Sequence, residues 1–273
     1  MGGLLFLLAA GFSLIFGLMR IANLTHGALF MLGAYLGVSI LKLVPNLWLA
    51  ALLAGLAVAI FGGLLERFIL RKLGGNILGQ VLVTLGIAFI LADFCLVVWG
   101  GDPIPIPTPP YLQQPLHIAG LAFPAYRVAV VGMAVFIAFC LYLLMEKTRL
   151  GAMIRAGVDD MEMARAVGIP VSRLFTTVFC LGAALAGAGG VIAGPIMSAY
   201  PGLDADMLPL ALIVVILGGV GSLVGAFVGS FITGFVYTFG VALLPDLAYV
   251  ILFLPMILVI AFRPRGLFGK FAA

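Results

Sequence analysis

Three polar residues stand together between the first two apolar runs of this sequence, where they could bind a small polar group. They are Asn23, Thr25 and His26. Polar side chains at membrane depth are costly and usually functional. Gly27 begins a new helix, whose N-terminus can hold an anion or a carboxylate. A polar loop between two helices explains the group equally well, so both interpretations stay open.

A later apolar run carries three more polar residues. Gln80 and Thr84 share one face of a helix at i, i+4 spacing, and Asp93 follows further along. A buried hydrogen bond between helices is the simplest role for Gln80 and Thr84. Asp93 lies about two turns before a Gly-Gly pair, from where its carboxylate could reach the outer interface. A role in transport is the alternative for Asp93.

The sequence contains no set of residues that predicts catalysis or metal binding. Its two histidines, His26 and His117, fall in different segments, and the three cysteines have no metal-ligand or disulfide spacing. The phosphate-binding motif G-x-x-x-x-G-K-[ST] is missing. We therefore expect no enzyme and no metal, and any ATP-driven step would need a motor on another protein.

Composition predicts the elements that must position these residues. Of 273 residues, 64% are hydrophobic and 9% are charged, whereas roughly a quarter of a soluble domain is charged. This predicts an all-α integral membrane protein, a polytopic bundle of about eight transmembrane helices (range eight to nine) in a single domain, residues 1–273. The net charge of +4 does not indicate nucleic-acid binding, because the basic residues are spread over short segments.

Apolar windows long enough to cross a bilayer place the candidate helices. They are 3–19, 27–41, 47–65, 78–99, 127–145, 174–193, 207–224, 225–244 and 247–262. The first is short for a span, which predicts that the true start lies upstream of Met1. The window 207–224 ends in a glycine-rich stretch and predicts a re-entrant half-helix.

Lysine and arginine set the expected orientation of the helices. They cluster in residues 66–76, in 146–173 and in the C-terminal tail, and short basic segments face the cytoplasm. The same rule puts Arg20 inside, and it makes 100–126 and 194–206 external. The external segment 100–126 is rich in proline, which favours extended backbone and predicts an ordered lid or a short hairpin.

The expected cytoplasmic segment contains a short helix with clear end signals. Asp159 is a suitable N-cap, and Glu162 follows at the spacing of a capping box. Gly168 is a suitable C-terminal cap, and Pro170 prevents continuation. The enclosed helix, residues 160–167, has barely two turns and would be marginal alone.

This short helix combines adaptable apolar side chains with charges: Met161, Met163, Ala164 and Val167 beside Glu162 and Arg165. One interpretation is a helix that lies back on the membrane domain or at the lipid interface. The other is a protrusion that docks in a groove of a soluble partner.

Glycines recur at small-xxx-small spacing, which lets helix backbones approach closely. One stripe is Gly182, Ala186, Gly190 and Gly194, and another is Gly221, Gly225 and Gly229. Tight packing within the chain is the first explanation. A subunit interface or a sliding surface is the second.

Three separated motifs resemble the LivH/LivM-type permeases of bacterial branched-chain amino-acid ABC transporters, and the LivH half more closely. The first covers residues 17–27 with Met31-Leu32-Gly33-Ala34-Tyr35. The second runs from Arg155 to Arg173, and the third covers 218–226. Family members often carry an acidic residue directly after His-Gly, where this chain has Ala28.

The resemblance implies a multi-pass permease of the bacterial inner membrane that takes up branched-chain amino acids or a related small polar solute. Its expected partners are a homologous LivM-like permease subunit, two cytoplasmic ABC ATPases that use ATP and magnesium, and a periplasmic solute-binding protein. No cofactor is expected on this chain itself. A secondary transporter or channel without ATP coupling is the alternative, and Asp93 is its only candidate for a coupling-ion site.

The resemblance also assigns the 160–167 helix as the element coupled to the ATPase, whereas the pathway candidates come from the polar residues within the apolar part of the sequence. Contact with the ATPase would fall to Asp159, Asp160, Met161, Glu162, Met163, Ala164, Arg165 and Gly168. The candidates for the translocation pathway are Asn23, Thr25, His26, Gln80 and Thr84.

Overall fold

The computed structural model describes residues 1–19, 23–74, 76–118, 120–243 and 245–269. These residues form a helical bundle with one two-stranded sheet. Its α-helices are α1 Gly2–Met19, α2 Thr25–Leu43, α3 Leu47–Phe68, α4 Ile77–Trp99, α5 Ala125–Lys147, α6 Arg149–Asp159, α7 Met161–Ala166, α8 Val171–Met197, α9 Leu203–Gly218, α10 Leu223–Leu243 and α11 Ala248–Phe262.

Each of the nine apolar windows corresponds to a helix, but the window 207–224 contains the end of α9 at Gly218, a turn and the start of α10 at Leu223. Seven of the described helices, α1 to α5, α8 and α10, are long and apolar enough to cross a membrane. Helices α9 and α11 have 16 and 15 residues. At 1.5 Å per residue, α9 measures about 24 Å, which is less than the hydrocarbon core of a bilayer. The prediction of an all-α polytopic membrane protein is confirmed.

Helix α1 lies at the centre of the bundle and packs on α8 and α10. Fifteen of its eighteen residues are buried, as expected for a helix that is apolar on all sides. Gly11 of α1 meets Gly182 of α8 so closely that a Cβ on Gly11 would lie 2.5 Å from the Gly182 carbonyl oxygen. Gly33 of α2 meets the backbone of Gly187 in the same way. The fit depends on the absence of side chains at these crossings.

Both glycine stripes lie at close contacts between segments of this chain. Gly190 packs against the Phe30 carbonyl, and Gly221 packs against Gly17 at the end of α1. Gly225 of α10 lies on Gly218 of α9, so the two helices form an antiparallel hairpin around the glycine-rich turn. Tight packing within the chain therefore accounts for the contacts that these glycines make.

The bundle has two distinct ends. The basic end carries residues 69–74, between α3 and α4, and residues 148–170, which contain α6 and α7. The C-terminal segment also packs there: the amides of Leu267 and Phe268 donate to the carbonyls of Leu217 and Gly218. These bonds satisfy carbonyl groups that the end of α9 leaves free.

The opposite end carries the proline-rich segment. It holds strands β1 Pro115–Ile118 and β2 Leu121–Pro124, which pair antiparallel, so the expected hairpin is present. Ile104 pairs with Ala199 beyond the end of α8, and the Ile106 side chain packs on Gly194. These contacts hold the start of the proline-rich segment on the bundle.

Candidate functional site

The polar group at the start of α2 is buried in the bundle. Asn23 is 3% exposed, and Thr25 and His26 are fully buried. The His26 ring lies beside Phe12, and its Nε2 is 3.0 Å from the carbonyl oxygen of Leu8. Leu8 is near the middle of α1, so α2 begins inside the apolar layer. The group therefore forms a buried break between helices and not a solvated loop. Arg20, expected on the inside, lies outside the described residues.

Helix α4 holds the start of α2 in place through Thr84. The Thr25 hydroxyl donates to the Thr84 carbonyl at 2.8 Å, and the Leu24 amide donates to Thr84 Oγ1 at 3.4 Å. Asn23 Oδ1 accepts the Thr25 amide at 3.2 Å. Thr84 thus makes the expected hydrogen bonds between helices. Gln80 does not, because its Nε2 donates to the Leu73 carbonyl in the turn just before α4.

Three of the five pathway candidates line one small cavity near the basic end. Asn23, Gln80 and Thr84 face it, together with apolar side chains of α1, α8 and the 69–74 segment. Its volume is about 10 Å³, which is room for roughly one water molecule. The cavity is therefore too small for an amino acid in this structure. Thr25 and His26 instead contact α4 and α1.

This break keeps unused hydrogen-bonding capacity. Asn23 Nδ2, a donor, and His26 Nδ1 have no partner among the described residues. A carbonyl can only accept, so His26 donates from Nε2 to Leu8 and Nδ1 of the neutral ring is an acceptor. Buried polar groups in native proteins are nearly always paired. The break therefore keeps a free donor group on Asn23 and a free acceptor on His26.

The cap of the short helix α7 differs from the expectation by one residue. Asp160, not Asp159, is the N-cap: its Oδ1 accepts the amides of Glu162 and Met163 at 2.9 Å each. Helix α6 extends through Asp159, so the chain becomes extended only at Asp160. The prediction for Asp159 was wrong because the sequence does not show where α6 ends. Helix α7 is also shorter than the expected 160–167.

One face of α7 is anchored and the other is free. Ala164 is buried, whereas Met163 and Val167 are 60% and 68% exposed. Gly168 ends the helix with φ +88°, and the next residue, Ile169, donates its amide to Ala164. Glu162 and Arg165 are exposed as well. The basic end thus presents a short helix with a mixed apolar and charged surface.

A buried ion pair next to this segment was not anticipated from the sequence. Glu66 of α3 has a fully buried side chain, and Arg71 Nη2 lies 3.0 Å from its Oε2. The Thr176 hydroxyl of α8 donates to the same oxygen at 2.6 Å. Arg71 also donates to the Ser172 carbonyl at 2.8 Å. We call Glu66, Arg71 and Thr176 the α3–α8 clamp. A glutamate at the end of an apolar run is the one sequence signal for it.

Within the described part of the chain, no three His, Cys, Asp or Glu residues come together as metal ligands would. Asp93 does not approach the α2 break, since it lies exposed near the far end of α4. The chemistry available at the break is therefore hydrogen bonding by side chains and backbone.

Comparison with known proteins assigns the chain to a family. The family model described as "Branched-chain amino acid transport system / permease component" matches residues 1–260. BraD of Pseudomonas aeruginosa, named a high-affinity branched-chain amino acid transport system permease protein, is 28% identical over 97% of this chain and 91% of its own. LivH proteins of Salmonella typhimurium and Escherichia coli are 27% and 26% identical with the same coverage.

No solved structure matches the chain. The family match runs through the α2 break, the α7 segment and the glycine-rich turn, which are the three places where the sequence motifs lie. It confirms the resemblance that those motifs indicated: the chain belongs to the family of permease components of branched-chain amino acid transport systems.

Proposed function

We propose that this chain is the membrane-spanning permease subunit of an ATP-driven importer for branched-chain amino acids or a related small polar solute. The family match over residues 1–260 is the observation that carries the proposal. The seven long apolar helices fit a subunit that provides a path through the membrane. The ATPases, the solute-binding protein and a LivM-like second permease subunit are its proposed partners.

The basic end of the bundle faces the bacterial cytoplasm in this proposal. Residues 69–74 and 148–170 carry Arg71, Lys72, Arg149, Arg155 and Arg165, and short basic segments stay on the cytoplasmic side of the inner membrane. The proline-rich segment then faces the periplasm, where a solute-binding protein delivers its ligand. ATP and magnesium are bound by the ATPases on the basic side.

Helix α7 is the proposed contact with an ATPase. Met163 and Val167 offer exposed apolar surface, and Glu162 and Arg165 offer charges beside it. A short helix of this kind can enter a groove on a soluble partner. The chain passes from α7 through Gly168 directly into α8, which packs on α1, α2 and α3. A push on α7 would therefore reach the core of the bundle through α8.

The α2 break is the proposed constriction of the pathway. Its cavity is closed in this structure, so solute passage requires α1, α4 or α8 to move. When it opens, the free Nδ2 of Asn23 can donate to a carboxylate, and the positive end of the α2 dipole favours the negative charge. Backbone and a few polar side chains suffice for such a site.

The test is uptake by the reconstituted complex of this chain with its partners. Proteoliposomes that carry the solute-binding protein outside should accumulate labelled leucine, isoleucine or valine only when ATP is inside. Uptake without ATP would overturn the proposal in favour of a secondary transporter or channel.

A narrower test addresses α7. The double variant Glu162→Lys, Arg165→Glu reverses the local charge pattern without changing the buried Ala164. Association with the ATPase subunits should weaken, while the amount of inserted permease stays the same. Unchanged association would remove α7 from the proposed interface.

A further inference from the structure

Asp93 is the most deeply placed charged residue in the seven long helices. It lies six residues before Trp99, the last residue of α4, or about 9 Å below that end of the helix. Every other Asp, Glu, Lys or Arg in those seven described helices lies within two residues of a helix end. Asp93 therefore lies further from a helix end than any other charged residue of these described helices.

The geometry of α4 directs the Asp93 side chain away from the nearer end of the helix. Side chains on an α-helix tilt toward the helix N-terminus. The N-terminus of α4 is at the basic end, so the Asp93 carboxylate is directed away from Trp99. Lysine and arginine can bridge a distance of about 9 Å with long side chains, but aspartate is short. The direction of α4 therefore favours a role for Asp93 inside the bundle end over contact with the outer interface.

The chain itself gives Asp93 no partner. Its side chain is exposed, and no described residue forms a hydrogen bond or ion pair with it. Glu66, the acid in α3, shows the contrasting case of a buried carboxylate with two partners. An unpaired carboxylate facing lipid would be costly, and acidic residues in spanning helices instead face protein or water. Something polar must cover this face of α4 in the assembled protein.

The surroundings of Asp93 indicate the chemistry of what covers it. Phe89, Ile90 and Phe94 are all half exposed or more on the lateral surface of α4. Two turns below Asp93, Gly86 has no neighbour within 4 Å of where a Cβ would stand, which leaves open space beside the helix. A single negative charge among large apolar side chains complements a molecule that combines a cationic ammonium group with an aliphatic chain.

We propose that Asp93 lines the solute pathway and binds the ammonium group of the amino acid, with its aliphatic side chain against the apolar surface of α4. The inference rests on the proposed function and adds the substrate group that this chain recognises. The outward face of α4 then borders a water-filled passage, closed on its other side by the second permease subunit. The α2 break, where Asn23 offers a donor to a carboxylate, packs against Thr84. Thr84 lies nearer the basic end of α4 than Asp93 does.

The first experiment asks whether Asp93 meets water. In a complex whose permease has its three native cysteines replaced, Asp93→Cys is treated with a cationic, membrane-impermeant methanethiosulfonate reagent. The matched control is Leu53→Cys, which lies six residues inside the same end of the bundle on α3, among exposed leucines with no charge nearby. Asp93→Cys should react at least about tenfold faster than the control, and leucine with its binding protein should slow the reaction. Equal, slow reaction at both positions would overturn the proposal.

The second experiment asks whether the charge matters for transport. Asp93→Asn should lower ATP-driven leucine uptake at least about tenfold, mainly through a higher KM. Asp93→Glu should restore part of the uptake, and Asp102→Asn in the proline-rich segment should transport normally. Normal uptake by Asp93→Asn overturns the ammonium assignment and leaves the proposed function standing. If the unmodified complex takes up none of leucine, isoleucine and valine with ATP, transport of branched-chain amino acids is refuted, and the ammonium assignment fails with it.

Discussion

The α3–α8 clamp leads to a stability prediction that can be worked out from the structure. Arg71→Met removes the guanidinium and keeps much of the apolar volume of the side chain. Glu66 would then keep a fully buried carboxylate whose remaining hydrogen bond is the one from Thr176. Removing one partner of a buried ion pair costs about 3–5 kcal/mol. The Arg71 side chain is 36% exposed, and the hydrogen bond from Thr176 to Glu66 survives. We therefore expect Arg71→Met to lower the free energy of unfolding by about 3 kcal/mol, the lower limit of this range.

A double-mutant cycle separates the ion pair from other effects of the substitution. Glu66→Gln leaves a neutral amide that Thr176 can still bond, so the double variant Glu66→Gln, Arg71→Met should lose only about 1 kcal/mol more than Glu66→Gln alone. The coupling free energy between Glu66 and Arg71 is then about 2 kcal/mol. The free energy of unfolding is measured by SDS titration of the purified permease in mixed micelles.

Arg67→Met is the matched control for this cycle. Arg67 is also an arginine at the end of α3, but it is exposed, and its recorded contact is with the ring of the neighbouring Phe68 at 5.9 Å. Its removal should cost less than about 1 kcal/mol. The reasoning is refuted if Arg71→Met costs no more than Arg67→Met. It is also refuted if the cycle gives no coupling between Glu66 and Arg71.

Two further predictions test the cap of α7 and the central helix crossing. Asp160→Ala should destabilise helix α7 by about 1 kcal/mol, which should speed amide hydrogen exchange in α7. The control Asp159→Ala should leave this exchange unchanged. Equal effects of the two substitutions would contradict the cap assignment. Gly33→Ala puts a methyl group against the backbone of Gly187 and should destabilise the permease by at least about 2 kcal/mol in SDS titration. The control Gly132→Ala meets open space and should be neutral or stabilising; similar losses for both would show that packing is not the cause.

The apolar helices could be predicted from the sequence because each satisfies a local rule. A run of apolar residues long enough to span must be helical, since lipid offers no partner for backbone groups. The hairpin in the proline-rich segment and the stop at Gly168 follow from similarly local preferences. These features depend only on a residue and its near neighbours in the chain.

The features that remained hidden depend on residues far apart in sequence. Glu66 and Thr176 are separated by 110 positions, so nothing in the chain order pairs them. The depth of His26 became apparent only through its contact with Leu8 on another helix. The start of α7 was misplaced by one residue because both Asp159 and Asp160 can cap a helix, and the extent of α6 decides between them.

Glu66 and Asp93 show how contacts between residues far apart in sequence distinguish a paired carboxylate from an unpaired one. Both are carboxylates within apolar runs, and hydropathy treats them alike. In the structure Glu66 forms an ion pair with Arg71 and accepts a hydrogen bond from Thr176, so its charge is neutralised where α3 meets α8. Asp93 receives no described partner, although it lies deeper. The Asp93 carboxylate therefore stays available for the proposed contact with the ammonium group of a solute, whereas that of Glu66 does not.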